Sequence, residues 1–148
     1  MKWLGSLLFL TTLGACSGLP RDQSGTLERI REEGVLRVGI VATAGPPLHA
    51  DRLRALLDRA AAATGGRIET VTESAEPLLL MLEAGEIDLV AGGFDRSSPW
   101  SHRVHLLPPL ASTQQGAFAL ETTAAARNGE NAWIILLERE ARVIAAAP

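Results

Sequence analysis

The stretch Leu82 to Pro109, LEAGEIDLVAGGFDRSSPWSHRVHLLPP, constrains this chain more than any other. It reads as a helix end, a buried strand, a polar loop and a return to a Pro-Pro corner. Gly85 stops the helix in a left-handed conformation, where the absence of a Cβ removes the clash. Ile87, Leu89, Val90 and Ala91 form the short apolar run of a strand covered on both faces. Gly92 and Gly93 are expected to end that strand and to let backbone approach whatever sits above it. The loop Asp95-Arg96-Ser97-Ser98 then stands at the strand's carboxyl end, where open α/β sheets bind ligands.

The segments before it repeat the same alternation. Thr26 is expected to cap a helix Leu27 to Glu33 closed by Gly34. Val35 to Val41 reads as the first strand. The loop Ala42 to Ala50 holds Gly45-Pro46-Pro47, which opposes helix and strand alike. Leu53, Leu56, Leu57, Ala60 and Ala61 recur at helical spacing, so Asp51 to Thr64 reads as an amphipathic helix ended by Gly65. Arg67 to Thr72 reads as a second strand, and Ser74 as the cap of a helix Ala75 to Ala84, with Pro77 tolerated in its first turn. This β-α-β-α-β order implies right-handed crossovers and a parallel sheet. Beyond the Pro-Pro corner, Gly116 to Glu121 reads as one more strand and Thr122 to Gly129 as a loop. Asn128 is the expected cap of a last helix that buries Trp133, Leu136, Leu137, Ala141 and Ile144.

The first residues read as a targeting segment. Lys2 supplies the positive charge, and Leu4 to Leu13 supply an apolar core too short for a stable span. Leu13-Gly14-Ala15-Cys16 then matches a lipoprotein signal, with small residues before the chain's single cysteine. On this reading residues 1–15 are removed, Cys16 is acylated, and 16–25 form a tether. An odd cysteine in an exported chain needs a reason, and acylation supplies one. Two attached lipids hold a protein durably on a membrane. Ser17, in place of an Asp, weakly favours the outer membrane. Of 148 residues, about 130 remain, enough for one core and not for two full lobes. Loss of Lys2 makes the formal charge one unit more negative than −3. With no basic patch to compensate, nucleic acid is excluded as a partner.

The Gly-x-Ile-Asp-Leu-Val-x-Gly-Gly strand, the Ser-Pro loop, an Arg and the Pro-Pro corner together resemble the bacterial extracellular solute-binding proteins. The group most similar is family 3, which serves polar amino-acid ABC transporters and also occurs fused to lytic transglycosylases. Thr26 to Ile40, TLERIREEGVLRVGI, resembles that family's opening helix and first strand, and Asn128 to Leu137, NGENAWIILL, its closing helix. The resemblance implies a Rossmann-like three-layer lobe of the periplasmic-binding-protein type II fold over 26–148, with a mostly parallel sheet. In that family two long crossings build a second lobe between the equivalents of Pro109 and Gly116. Here only Leu110 to Gln115 joins them, so the second lobe is missing. The family's usual Thr-Pro-Glu-Arg appears as Ser98-Pro99-Trp100-Ser101-His102-Arg103. Arg103 lies later than the family's carboxylate-gripping Arg, and Arg96 competes for the role.

The implied ligand set is Asp95, Arg96, Ser97, Ser98, Trp100 and Arg103. A guanidinium pairs bidentately with a carboxylate, the two serines donate hydroxyl hydrogen bonds, and Asp95 holds an ammonium. That suits an amino acid or similar small polar solute. The same residues also make a plain turn with a surface ion pair. Catalysis has less support. His102 and His105 are spaced for a metal only on a helix, and the segment reads as extended; Asp95 as third ligand has no support. His49 stands alone in a proline loop. There is no nucleophile elbow, no phosphate loop and no acid/base pair, so the expectation is a non-enzyme without cofactor or metal. Two functions stand: a lipid-anchored binder, serving an ABC permease or pairing with a second copy through Leu110 and Phe118, or an interaction lipoprotein that has lost its ligand.

Overall fold

The computed structural model describes residues 21–45, 49–115 and 118–147. The signal segment, Cys16 and most of the tether lie outside them. Within them the elements are α1 (Thr26–Glu33), β1 (Val35–Val41), α2 (Ala50–Thr64), β2 (Arg67–Glu73), α3 (Ala75–Ala84), β3 (Leu89–Phe94), a 3-10 turn (Pro99–His102), β4 (Val104–Leu106), β5 (Ala111–Gln115), β6 (Phe118–Arg127) and α4 (Asn131–Ala145). The sheet order is β2-β1-β3-β6-β4, with β5 also paired to β6. β2, β1 and β3 are mutually parallel, whereas β6 is antiparallel to β3, β4 and β5. All strands but β6 therefore run one way. Gly34, Gly65 and Gly85 end their helices in the left-handed region.

Alternation along β1 sets the layers. Leu36 and Val38 face a core shared with Leu53, Leu56 and Leu57 of α2 and with Trp133, Leu137 and Ala141 of α4. On the other face, Leu78, Leu79 and Leu82 of α3 pack with Val90, Phe94, Val104 and Ala125. Gly39 leaves room there, because a Cβ would stand 2.9 Å from the Leu78 and Ile87 methyl carbons and push those side chains aside. The apolar face expected for the last helix is buried throughout.

Four expectations need correction. Gly92 and Gly93 do not end β3, which continues to Phe94 because β6 pairs with it as far as Glu121. Thr122 to Arg127 is not a loop but the second half of β6. An alanine-rich run has little strand preference of its own, yet β3 on one edge and β4 and β5 on the other impose it. Leu110 to Gln115 is not a bare link, since β5 and β6 form a hairpin. Neither Asn128 nor Thr26 is a cap. Asn128 Nδ2 donates to the Arg103 carbonyl at 2.8 Å, and the helix starts are held by carboxylates instead.

Asp22 serves both helices: Oδ2 accepts the Leu27 N–H at 2.8 Å and Oδ1 accepts the Trp133 N–H at 2.9 Å. Glu130, 1% exposed, accepts the Ser24 and Thr26 N–H groups at 2.9 Å each. Burial pushes its carboxyl pKa up, but the Thr26 and Ser24 bonds and the Arg127 charge outweigh that and hold it below the ordinary value. Glu140 is lowered against burial too, by Arg139 and Arg59. A carboxyl depressed in the folded state contributes stability above its unfolded pKa and loses it as pH falls through the folded value. Glu130→Gln is expected to cost about 1–3 kcal/mol at pH 7. It should also flatten the fall in stability as pH drops through and below the ordinary carboxylate range, measured by denaturant unfolding at several pH values.

Candidate functional site

The carboxyl edge of the sheet gathers the end of β1, the turn after β3 and the β5–β6 hairpin. Register fixes the hairpin's height. Phe94, the last residue of β3, pairs with Glu121, so β6 residues 118–120 project beyond the edge. At this edge the chain turns through Asp95 to Ser98. Asp95 Oδ1 accepts the Ser97 N–H at 2.8 Å and its hydroxyl at 2.7 Å, and the Asp95 carbonyl accepts the Ser98 N–H at 3.0 Å. The Ser97 hydroxyl, then its N–H, lowers the Asp95 pKa. Ser98 Oγ accepts the Trp100 N–H at 3.4 Å and starts the 3-10 turn, with Pro99 in its first position.

Arg96 ties this turn to the hairpin. Its Nε donates to Glu121, and Nη2 donates to the Leu107 carbonyl at 3.1 Å. From the other face of the sheet, His49 Nε2 stands 3.3 Å from Thr113 Oγ1, and Arg52 donates to the Leu110 carbonyl at 2.9 Å. The hairpin is thus braced on both sides. Gly92 and Gly93 serve packing: a Cβ at Gly92 would meet Val41 at 2.6 Å, and one at Gly93 would meet Leu120 at 2.9 Å. Neighbouring side chains, not a ligand, take that space.

The structure brings Asp95, Arg96, Ser97 and Ser98 together, keeps the Trp100 backbone beside Ser98, and carries Arg103 away to α3. After Ser98 the chain descends, and Val104 pairs with Arg127 at the amino end of the sheet. Arg103 is there, bidentate on Glu83 in the last turn of α3 with Nε at 2.9 Å, and its guanidinium lies 4.3 Å over the Trp100 ring. His102 and His105 belong to different elements, and His105 Nε2 lies 2.9 Å from Glu138. Among the described residues no group of three metal-ligating side chains forms. Leu110 is 2% exposed in the core, so it is not available to a second copy. The side chain of Phe118 lies outside the described residues. Sequence reasoning missed Glu121 and Thr113, although the alternation in Ala117-Phe118-Ala119-Leu120-Glu121 offered a signal for a longer hairpin.

No family model and no curated protein matches the chain. Solved structures do. The Phe57Trp mutant of the arginine-bound form of domain 1 from TmArgBP superposes with a TM-score of 0.66 at 18% identity, over 80% of this chain and 97% of that one. The ancestral amino-acid-binding protein AncCDT-1, described as a precursor of cyclohexadienyl dehydratase, gives 0.66 at 13% identity, over 80% and 92%. A Salmonella typhimurium periplasmic binding protein of high arginine specificity gives 0.61 at 11% identity, over 77% and 94%. The chain has the fold of one lobe of a periplasmic binding protein. In this lobe the β5–β6 hairpin stands where the resembled family builds its second lobe.

The Arg96–Glu121 pair is expected to hold the hairpin to the edge. Arg96→Ala should speed amide exchange several-fold in 111–114 and 119–121 and leave α4 unchanged, as read by hydrogen–deuterium exchange.

Proposed function

We propose that this protein is a lipid-anchored, extracytoplasmic solute-binding module that takes an amino acid at its open carboxyl edge, with low affinity. One observation carries the reading: a lone lobe of this fold, domain 1 from TmArgBP, is described in arginine-bound form, and this chain spans nearly all of it. In the proposed site Asp95 holds the ammonium, the Ser97 and Ser98 hydroxyls add hydrogen bonds, and Arg96 meets the carboxylate. Arg96 must share its charge with Glu121. That competition, and a single wall in place of two, keep affinity low, since good pockets bury 70–90% of a ligand. Exposed Glu73 and Glu76 at the same edge favour a cationic side chain and disfavour a second copy facing the first. Trp100 and Arg103 act as scaffold in this reading. The neighbours named above are described as binding proteins, and no reaction is proposed.

A second reading, an interaction lipoprotein without ligand, draws support from the same geometry. Both guanidinium groups of the ligand set already hold carboxylates of the protein itself.

A thermal-shift titration of the chain from Ser17 onward separates the two. A binder gains about 2.7 kcal/mol at a hundredfold excess over Kd, so arginine or lysine titrated from about 1 mM to about 100 mM should raise Tm saturably. Asp95→Ala is expected to abolish the rise. Arg103→Ala should cost about 0.5–1 kcal/mol of stability and leave the ligand response intact, because its ion pair is largely exposed and remote from the edge. A flat response to all amino acids contradicts the binder.

A further inference from the structure

The chain enters the lobe at one pole and offers its open edge at the other. Residues 22–26 are fastened by hydrogen bonds from both sides: Asp22 to Leu27 and Trp133, Glu130 to Ser24 and Thr26, and the Gln23 N–H to the Gly129 carbonyl at 3.1 Å. Asp22 also forms a β-bridge with Glu130. All of these lie just beyond Arg127, where β6 finishes and β3 begins. The Asp95–Ser98 turn and the hairpin lie at the opposite end, where β6 starts. Its ten residues put the two poles about 31 Å apart. From Cys16 to Asp22 there are six residue steps, which fully extended reach at most about 22 Å.

The tether is therefore shorter than the lobe is tall. We propose that the acylated protein stands with its amino-end pole against the membrane and its carboxyl edge and hairpin directed into the aqueous space; this rests on the lipid-anchor reading. An inverted lobe would hold Asp22 farther from the bilayer than the chain can span. The membrane-facing surface is the shallow groove beside the chain's point of entry, lined by Arg21, Glu28, Arg31 and Glu32. Its two guanidinium groups stand against three carboxylates, Asp22 among them, and a surplus of a single negative charge suits a zwitterionic lipid surface without strong attraction or repulsion. The edge cannot then meet a permease in the membrane that holds the anchor. It serves a solute or partner arriving from the aqueous side.

The test uses the full chain, acylated in cells and reconstituted into phosphatidylcholine vesicles with a nitroxide on part of the headgroups. Cys16 is the chain's one cysteine. Once it is acylated, a single added thiol takes a fluorophore specifically. Glu28→Cys reports the pole beside the tether and Ser97→Cys reports the edge. The expected result is quenching several-fold stronger at position 28 than at 97. Inserting about twelve Gly/Ser residues between Gly18 and Leu19, about 40 Å of extended chain, should make the two equal. Equal quenching without the insertion, stronger quenching at 97, or a difference that survives the insertion overturns the orientation. Failure of the chain to float with vesicles overturns the anchor reading, and the orientation with it.

Discussion

The fold depends on β6 lying antiparallel in the middle of the sheet. Three strands take their hydrogen bonds from it, β3 along one edge and β4 and β5 along the other. Its buried run Thr122 to Ala126 is small enough for helices to approach on both faces. Ala124 and Ala126 join the α2–α4 core, while Ala125 joins the α3 core. Thr123 satisfies its own hydroxyl on the Leu107 carbonyl at 3.0 Å. The same strand carries Glu121, which receives Arg96, so the carboxyl edge is positioned by the element that also closes the sheet.

The parallel half of the lobe was legible because each piece announces itself locally. Amphipathic spacing in Leu53 to Ala61, a glycine after each of α1, α2 and α3, and the apolar run before Gly92 give elements that agree with the structure. The antiparallel half was not, because its strands are made by their neighbours. Thr122 to Arg127 reads as loop when taken alone, and becomes strand only between β3 and β4. The helix starts failed for a related reason: Asp22 caps α4 from 111 residues away, and no local window contains that bond. At the site, the turn Asp95 to Ser98 was readable from composition and position. The descent that carries Arg103 to Glu83 was not, since it depends on where β4 pairs.

These placements shape what the lobe can do. On the function proposed above, one open wall whose Arg96 is already engaged by Glu121 would make a weak receptor, and a short lipid tether at the far pole would decide which way that wall looks. In the proposed orientation, an exposed acidic edge would suit sampling of cationic solutes or contact with a basic partner more than delivery to a permease beneath it.

The most direct test of the central claim is an amide NMR titration of the lobe with L-arginine. The account predicts saturable shifts confined to 42–45, 95–98 and the β5–β6 hairpin, with a dissociation constant in the millimolar range. Shifts that are absent at high ligand concentration, or that map to the α2–α4 face, would contradict it.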